Sequence, residues 1–367
     1  MTRFSKKNIA SYLSLSFLLV FFFSCQKEDQ VEQSLAFDPQ KDHEEADGMY
    51  PYDWLSTYGF FEGDLKSLTP SQELIEYEPA SSLFTDYALK SRFVWLPEDS
   101  KAAIINDKLT LPVGSVLIKN FYYPEDFSKS EGKRRIIETR LMIHQEKGWE
   151  AFPYIWNDSQ TDAKLKVVGG ETTVSFVNEK GEDQVINYLI PNKNQCKTCH
   201  NENEKLDPLG VEVKHLNHEK EFDGKKINQL AYWTEIGKLE GFEGVENHPR
   251  MVDYSNESLP LADRAKAYLD INCAHCHREE GPASTSGLFL SYEQTDPLKL
   301  GINKTPVAAG NGAGSHQFDI VPGKADESIL VHRMNSTAVG VAMPEIGRTS
   351  IHQEGVELIR AWINEMK

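Results

Sequence analysis

Cys273-Ala274-His275-Cys276-His277 stands near the start of the last third of the chain, and the same pattern occurs upstream as Cys196-Lys197-Thr198-Cys199-His200. The spacing C-x-x-C-H sets two thiols and an imidazole on one short turn. It is the attachment pattern of c-type haem: the thiols add to the vinyl groups of the porphyrin, and the adjacent histidine ligates the iron. Two copies predict two c-type haems. A thiol redox pair or half of a zinc site would also use C-x-x-C. The histidine after each copy, the recurrence of the pattern and the lack of a β-α-β pattern around it favour haem.

The remaining cysteine fits the same frame. Of five cysteines, four lie in the two motifs and the fifth, Cys25, closes an N-terminal apolar run, so none is left for a structural disulfide. Arg3, Lys6 and Lys7 precede the apolar stretch Tyr12–Phe23, which is short for a membrane span and reads as a signal peptide. Ser24 before Cys25 resembles a bacterial lipobox, with Phe22 and Phe23 departing from its usual residues. The expectation is a leader over residues 1–24 and lipidation at Cys25. Gln26-Lys27-Glu28-Asp29 then opens an acidic, aperiodic tether over residues 25–49. This places the mature chain outside the cytoplasm, lipid-anchored to the outer membrane and facing the periplasm or the cell surface.

Charge narrows the partners. The formal net charge is −17, and loss of the leader removes three cations and no acid, taking it to −20. So acidic a body disfavours nucleic acid and anionic lipid surfaces. The expected partners are a redox protein and, through Cys25, the membrane.

From residue 50 the composition turns aromatic and β-branched. Arg92–Leu96 and Ser115–Tyr123 read as strands. Arg135–His144 and Trp149–Trp156 form a hairpin across Glu146-Lys147-Gly148, and Glu171–Val177 with Gln184–Leu189 form a second across Asn178-Glu179-Lys180-Gly181. Residues 50–190 are therefore expected to be an antiparallel sheet or sandwich. Trp95, Trp149, Tyr154 and Trp156 suit its strands and core. No phosphate loop or nucleophile motif occurs there.

Residues 191–255 form the segment of the first motif. Its histidine, His200, is one iron ligand. His215, His218, His248, Met251 and the strand-end His144 are candidates for the second, and a five-coordinate iron stays open. Downstream, Leu261–Asp270 has apolar residues at helical spacing and runs into the second motif. Residues 351–366 read as an amphipathic helix whose stripe is Val356, Ile359, Trp362 or Ile363, and Met366, with Ser350 and Gln353 placed for a capping box.

Helix, C-x-x-C-H, Gly281-Pro282, the Met343-Pro344 loop, the stretch Val321–Leu330 and a closing aromatic-bearing helix resemble a class I cytochrome c domain. That resemblance implies an all-α domain over residues 256–367, with His277 and Met343 as the axial ligands of the second haem and the Pro282 carbonyl orienting the His277 ring. Met334 is the rival to Met343. More broadly, Tyr154–Asn157, Gln195–His200, Asn228-Gln229-Leu230 and Tyr268–His277 resemble a family of exported dihaem c-type cytochromes. The fold class so implied is α+β multidomain, and the function is electron transfer through two covalent haems. The alternative is a dihaem peroxidase-like oxidoreductase in which the first haem is catalytic. Such an enzyme would carry two similar helical domains, and the β-rich stretch before the first motif favours transfer.

Overall fold

Strands form where β-branched and aromatic residues alternate, because alternate side chains then share one face. In the computed structural model, which describes residues 51–129 and 132–367, the long runs pair as expected. The strands β1 (Leu74–Glu76), β2 (Leu89–Trp95), β3 (Ala102–Ile105), β4 (Lys108–Thr110), β5 (Val116–Pro124), β6 (Arg134–Gln145), β7 (Gly148–Trp156) and β8 (Ala163–Leu165) follow in order. Six of them make one antiparallel sheet, β1-β2-β5-β6-β7-β8. A hairpin of β9 (Gly170–Val177) and β10 (Asp183–Ile190) follows.

Register sorts the sheet's side chains into two cores. Phe93, Ile118, Leu141 and Phe152 pair across neighbouring strands on one face, in a buried cluster with Leu55, Phe60 and Leu68. Val94, Leu117, Met142 and Ala151 pair on the other face, and their cluster contains Val213, Leu216, Leu230, Trp233 and Cys196. The first motif thus belongs to the second core. The covering residues come from α1 (Lys193–Cys199), α2 (Val213–Leu216) and α3 (Gln229–Glu235).

Two short hairpins escaped the sequence reading. β3 and β4 turn at Asn106 and Asp107, both left-handed (φ 51° and 58°). β11 (Glu219–Phe222) and β12 (Lys225–Asn228) turn at Asp223 and Gly224 (φ 50° and 75°). Asn-Asp and Asp-Gly favour such turns. The strands beside them are lysine- and glutamate-rich or only four residues long, so the turn residues were the usable signal. β13 (Leu239–Glu240) adds in parallel to β3.

The expected all-α cytochrome c domain over residues 256–367 is corrected. The molecule is β-rich, and its described residues hold six short α-helices. The last third has only α4 (Leu261–Leu269), α5 (Ile329–Met334) and α6 (Gln353–Glu365), of which α6 is the longest at 13 residues. The stretches 275–328 and 335–352 are rich in glycine, proline, serine and threonine, so bends and single 3-10 turns replace helices there. α6 does bury Val356, Ile359, Trp362 and Ile363. Its N-cap is His352, with no capping box, because the Ser350 hydroxyl donates to Asp86 at 2.6 Å.

Residues 51–367 pack as one unit. The leader, Cys25 and the tether lie outside the described residues. No described helix is long and apolar enough to cross a membrane.

Candidate functional site

The first motif is set by a capping box. The Asn192 side chain accepts from the Gln195 amide, and the Gln195 side chain accepts from the Asn192 amide, both at 2.9 Å, which starts α1 at Lys193, three residues before Cys196. Cys196 is buried against the sheet, Cys199 is half-buried one turn on, and His200 is the helix C-cap. Gly169, left-handed at φ 67°, lies under this start: a Cβ there would come 2.4 Å from the Ile190 carbonyl oxygen.

The second motif continues α4. Asp270–Ala274 forms one wider, π-type turn, buried throughout, that delivers Cys273 into the core with Leu269, Met334, Ile359 and Trp362. Two of its polar side chains anchor it. Asp270 accepts from Lys214 at 2.7 Å and from the Tyr292 amide at 2.8 Å, and faces His215 at 3.4 Å. Asn272 accepts from the Phe84 amide at 2.8 Å. Burial alone would raise the Asp270 carboxyl, but the bonds from His215 and Lys214 hold it at about 2.

The fold brings the two motifs face to face. The Cys199 thiol, the His275 ring and the Cys276 thiol present their ligating atoms within 4.8 Å of one another. Three hydrogen bonds tie the motif loops: Cys276 Sγ to Thr198 O at 3.8 Å, Asn203 N to Glu280 O at 3.1 Å, and Arg278 Nη2 to Asn201 O at 3.4 Å. The bond with Cys276 holds the Cys199 thiol down at about 5, with help from His275, while Cys276 is pushed up. Burial pushes the Cys273 thiol up to about 12. All four thiols are free of disulfides.

Each motif histidine has its Nδ1 side occupied by the chain. His200 Nδ1 bonds the Asp207 carbonyl at 3.0 Å. His277 bonds the Leu288 backbone and faces the Ser286 hydroxyl at 3.4 Å, so these groups meet the ring where the Pro282 carbonyl was expected. Burial is the first cause that lowers both rings, to about 3 for His200 and about 4 for His277. Neutral imidazoles with Nδ1–H donating to the chain keep Nε2 as the free lone pair, the arrangement a metal-ligating histidine needs. A cleft of about 430 Å³ is lined by His144, Trp149, Glu202, Asp207, Lys214 and Arg278.

The candidate second ligands separate. His218 has both nitrogens engaged, Nδ1 with the Glu219 carbonyl and Nε2 with the Glu78 carbonyl and Gln229. His248 is likewise filled, by Asp107 and the Glu243 amide. His144 stacks on Trp149 and bonds the Leu111 carbonyl through Nδ1. Met251 is buried. Among the four histidines, His215 alone joins near-complete burial (1% exposed) to an unpartnered ring nitrogen, Nδ1, with Nε2 turned to Asp270. For the second motif, Met334 lies in the buried core that holds Cys273, whereas Met343 is half-buried outside it. The Met343 loop is pinned by Arg348, which donates to the carbonyls of Met334, Ser336 and Met343.

His275, a spacer residue of the second motif, and Arg278, the residue after it, each carry a buried nitrogen without a partner, His275 Nδ1 and Arg278 Nε. Nothing local marked them; the facing of the two motifs did. Buried donors left without partners are rare in a finished protein interior, and the four thiols and two imidazoles beside them are groups able to hold a cofactor or a metal. Compared with family models, curated proteins and solved structures, the chain matches none.

Proposed function

We propose that the chain carries two c-type haems and serves as an electron-transfer protein, lipid-anchored through Cys25. The observation that carries the reading is the facing of two complete C-x-x-C-H motifs, with Cys199 and Cys276 side by side and both imidazoles held by Nδ1. Bound haem supplies one-electron chemistry between ferric and ferrous iron. The chain does the rest. Cys196 and Cys199 would hold one haem, and Cys273 and Cys276 the other. His200 and His277 would supply Nε2 to the irons. His215 is the favoured second ligand at the first site, since Asp270 at its Nε2 leaves Nδ1 to coordinate. Met343, in its Arg348-pinned loop, is the expected one at the second, with Met334 its rival. The apolar core around Cys273 would exclude water and so limit rearrangement when charge changes.

The test is covalent haem content by pyridine haemochrome on chain made with a haem-attachment system. Two haems per chain are expected, falling to one in Cys196→Ala/Cys199→Ala and to one in Cys273→Ala/Cys276→Ala. Chain that takes up no haem overturns the reading. Electron paramagnetic resonance separates transfer from catalysis: His215→Ala should convert one low-spin ferric signal to high spin. A first site that is high-spin in the unaltered chain favours the peroxidase-like alternative.

A second reading rests on the Cys199–His275–Cys276 cluster, whose spacing suits one soft metal ion such as zinc. It predicts one chelatable metal per chain and no covalent haem. It also leaves Cys196 and Cys273 without a role, which is why haem is preferred.

A further inference from the structure

One row of the sheet is built against the ordinary rules of strand pairing. Arg92 on β2 stands opposite Lys119 on β5, and Lys119 stands opposite Arg140 on β6. Like charges directly opposed destabilise a sheet. Lys90, two residues before Arg92, adds a fourth cation to the same face. Only Arg140 has a full counter-ion: Glu138 grips it through both oxygens, at 2.5 and 2.9 Å, and also accepts from Tyr188. Lys90 donates to the Leu83 and Ala88 carbonyls. Arg92, 7% exposed, has no hydrogen bond or ion pair from its guanidinium among the described residues, and Lys119 has only the Phe121 ring beneath it, at 5.2 Å. The nearest other acids act at a distance: Glu78 on Arg92, and Asp86, itself bound to Thr349 and Ser350, on Lys90.

The row has a definite neighbour. It shares its sheet face with Val94, Leu117 and Met142, which pack in the core of Cys196. Lys119 and Arg140 both act electrostatically on His200, and Arg140 acts on Cys196 and Cys199. A buried cation without a counter-ion, as Arg92 is, is costly unless an anion joins it, and half-buried Lys119 beside it adds to the same unbalanced charge. A c-type haem carries two propionate carboxylates. We propose that Arg92 and Lys119, backed by Lys90 and the Arg140–Glu138 pair, bind the propionates of the haem attached at Cys196 and Cys199. The assignment rests on the haem reading above. It gives the β-rich part a role, as the charged floor of the first haem site.

The test is the midpoint potential of each haem in the loaded full chain, for the unaltered protein, Arg92→Gln, Lys119→Gln and Lys119→Arg. Losing a cation leaves propionate charge uncompensated, which favours ferric iron. Arg92→Gln and Lys119→Gln should lower one potential and leave the other unmoved, with both haems retained, and Lys119→Arg should restore it. The shift should persist in the Cys273→Ala/Cys276→Ala background and vanish in Cys196→Ala/Cys199→Ala. Because neither cation has an ion-pair partner within the described protein, neither change strands a protein carboxylate; should Arg92→Gln misfold, Lys119→Gln carries the test alone. Two haems with unmoved potentials overturn this assignment while leaving the haem reading intact. So does binding of free succinate that both glutamine variants abolish. Fewer than two haems in the unaltered chain overturns the haem reading first, and this assignment with it.

Discussion

The two C-x-x-C-H motifs are identical in pattern and opposite in setting. The first begins on a seven-residue helix, capped by its own Asn192 and Gln195, that lies on a sheet face carrying four cations. The second ends a longer helix and is sunk in an apolar core, its π-type turn pinned by Lys214, His215 and Phe84. The first is placed by local chemistry and set among unpaired cations; the second is placed by tertiary packing, with its Asp270 carboxylate paired to Lys214. If both bind haem, charge distinguishes the first site and exclusion of water the second.

The contrast can be broken most sharply at Asp270. Asp270→Asn leaves half-buried Lys214 with only Glu212 and Glu293 as counter-ions, at 3.8 and 3.7 Å, and breaking a buried pair costs up to about 3–5 kcal/mol. Chemical denaturation should show that loss, with the second haem released before the first. Equal lability of both would mean that the π-type turn does not seat the second motif.

Acid tests the second setting next. His352 caps α6, stacks on Phe84 at 4.2 Å and bonds the Tyr268 hydroxyl, and burial lowers it to about 4. Below pH 6.5 the unfolded chain takes up a proton there that the folded chain refuses until about pH 4. Stability should therefore be complete above 6.5 and fall through that window, by roughly 3 kcal/mol from this ring. His352→Gln should flatten the thermal-melt profile over that window; an unaltered slope would show that the ring is not the source.

Gly355 comes third. A Cβ there would lie 2.2 Å from the Tyr268 hydroxyl, where α6 crosses α4. Gly355→Ala should cost about 1–3 kcal/mol through overpacking, read as a lower melting temperature and a perturbed second haem. The smallest effect is at the first motif: Asn192→Ala removes a cap worth about 1 kcal/mol. It should loosen α1 and slow haem attachment at Cys196 and Cys199 alone, since α4 starts at Pro260 without a side-chain cap. An attachment defect at both motifs would mean that they fold as one piece.

Much of the site was legible in the chain because its signals are local. C-x-x-C-H fixes a turn, Asn192-x-x-Gln195 fixes a helix start, and two runs of alternating apolar residues around a short glycine-containing loop fix a hairpin. The α6 stripe followed from a 3.6-residue period. What failed was the step from two good helices to a whole helical domain: resemblance filled residues 275–328 with a fold that their glycine, proline and hydroxyl residues do not support.

By itself, then, the sequence determined the two motifs, their histidines, the long strands and the closing helix, each a matter of neighbours within about four residues or of a short repeat. Only the tertiary structure decided that Cys199 meets Cys276, that Asp270 reaches back to Lys214 and His215, and that Arg92, Lys119 and Arg140 stand in one row. The row depends on strand order and register, and the other two on how the helical segments pack; together they join residues 21 to 77 positions apart in the chain. No local period encodes which strand pairs with which. Burial of a whole sheet face selects that pairing, and it turns two matching motifs into two different sites.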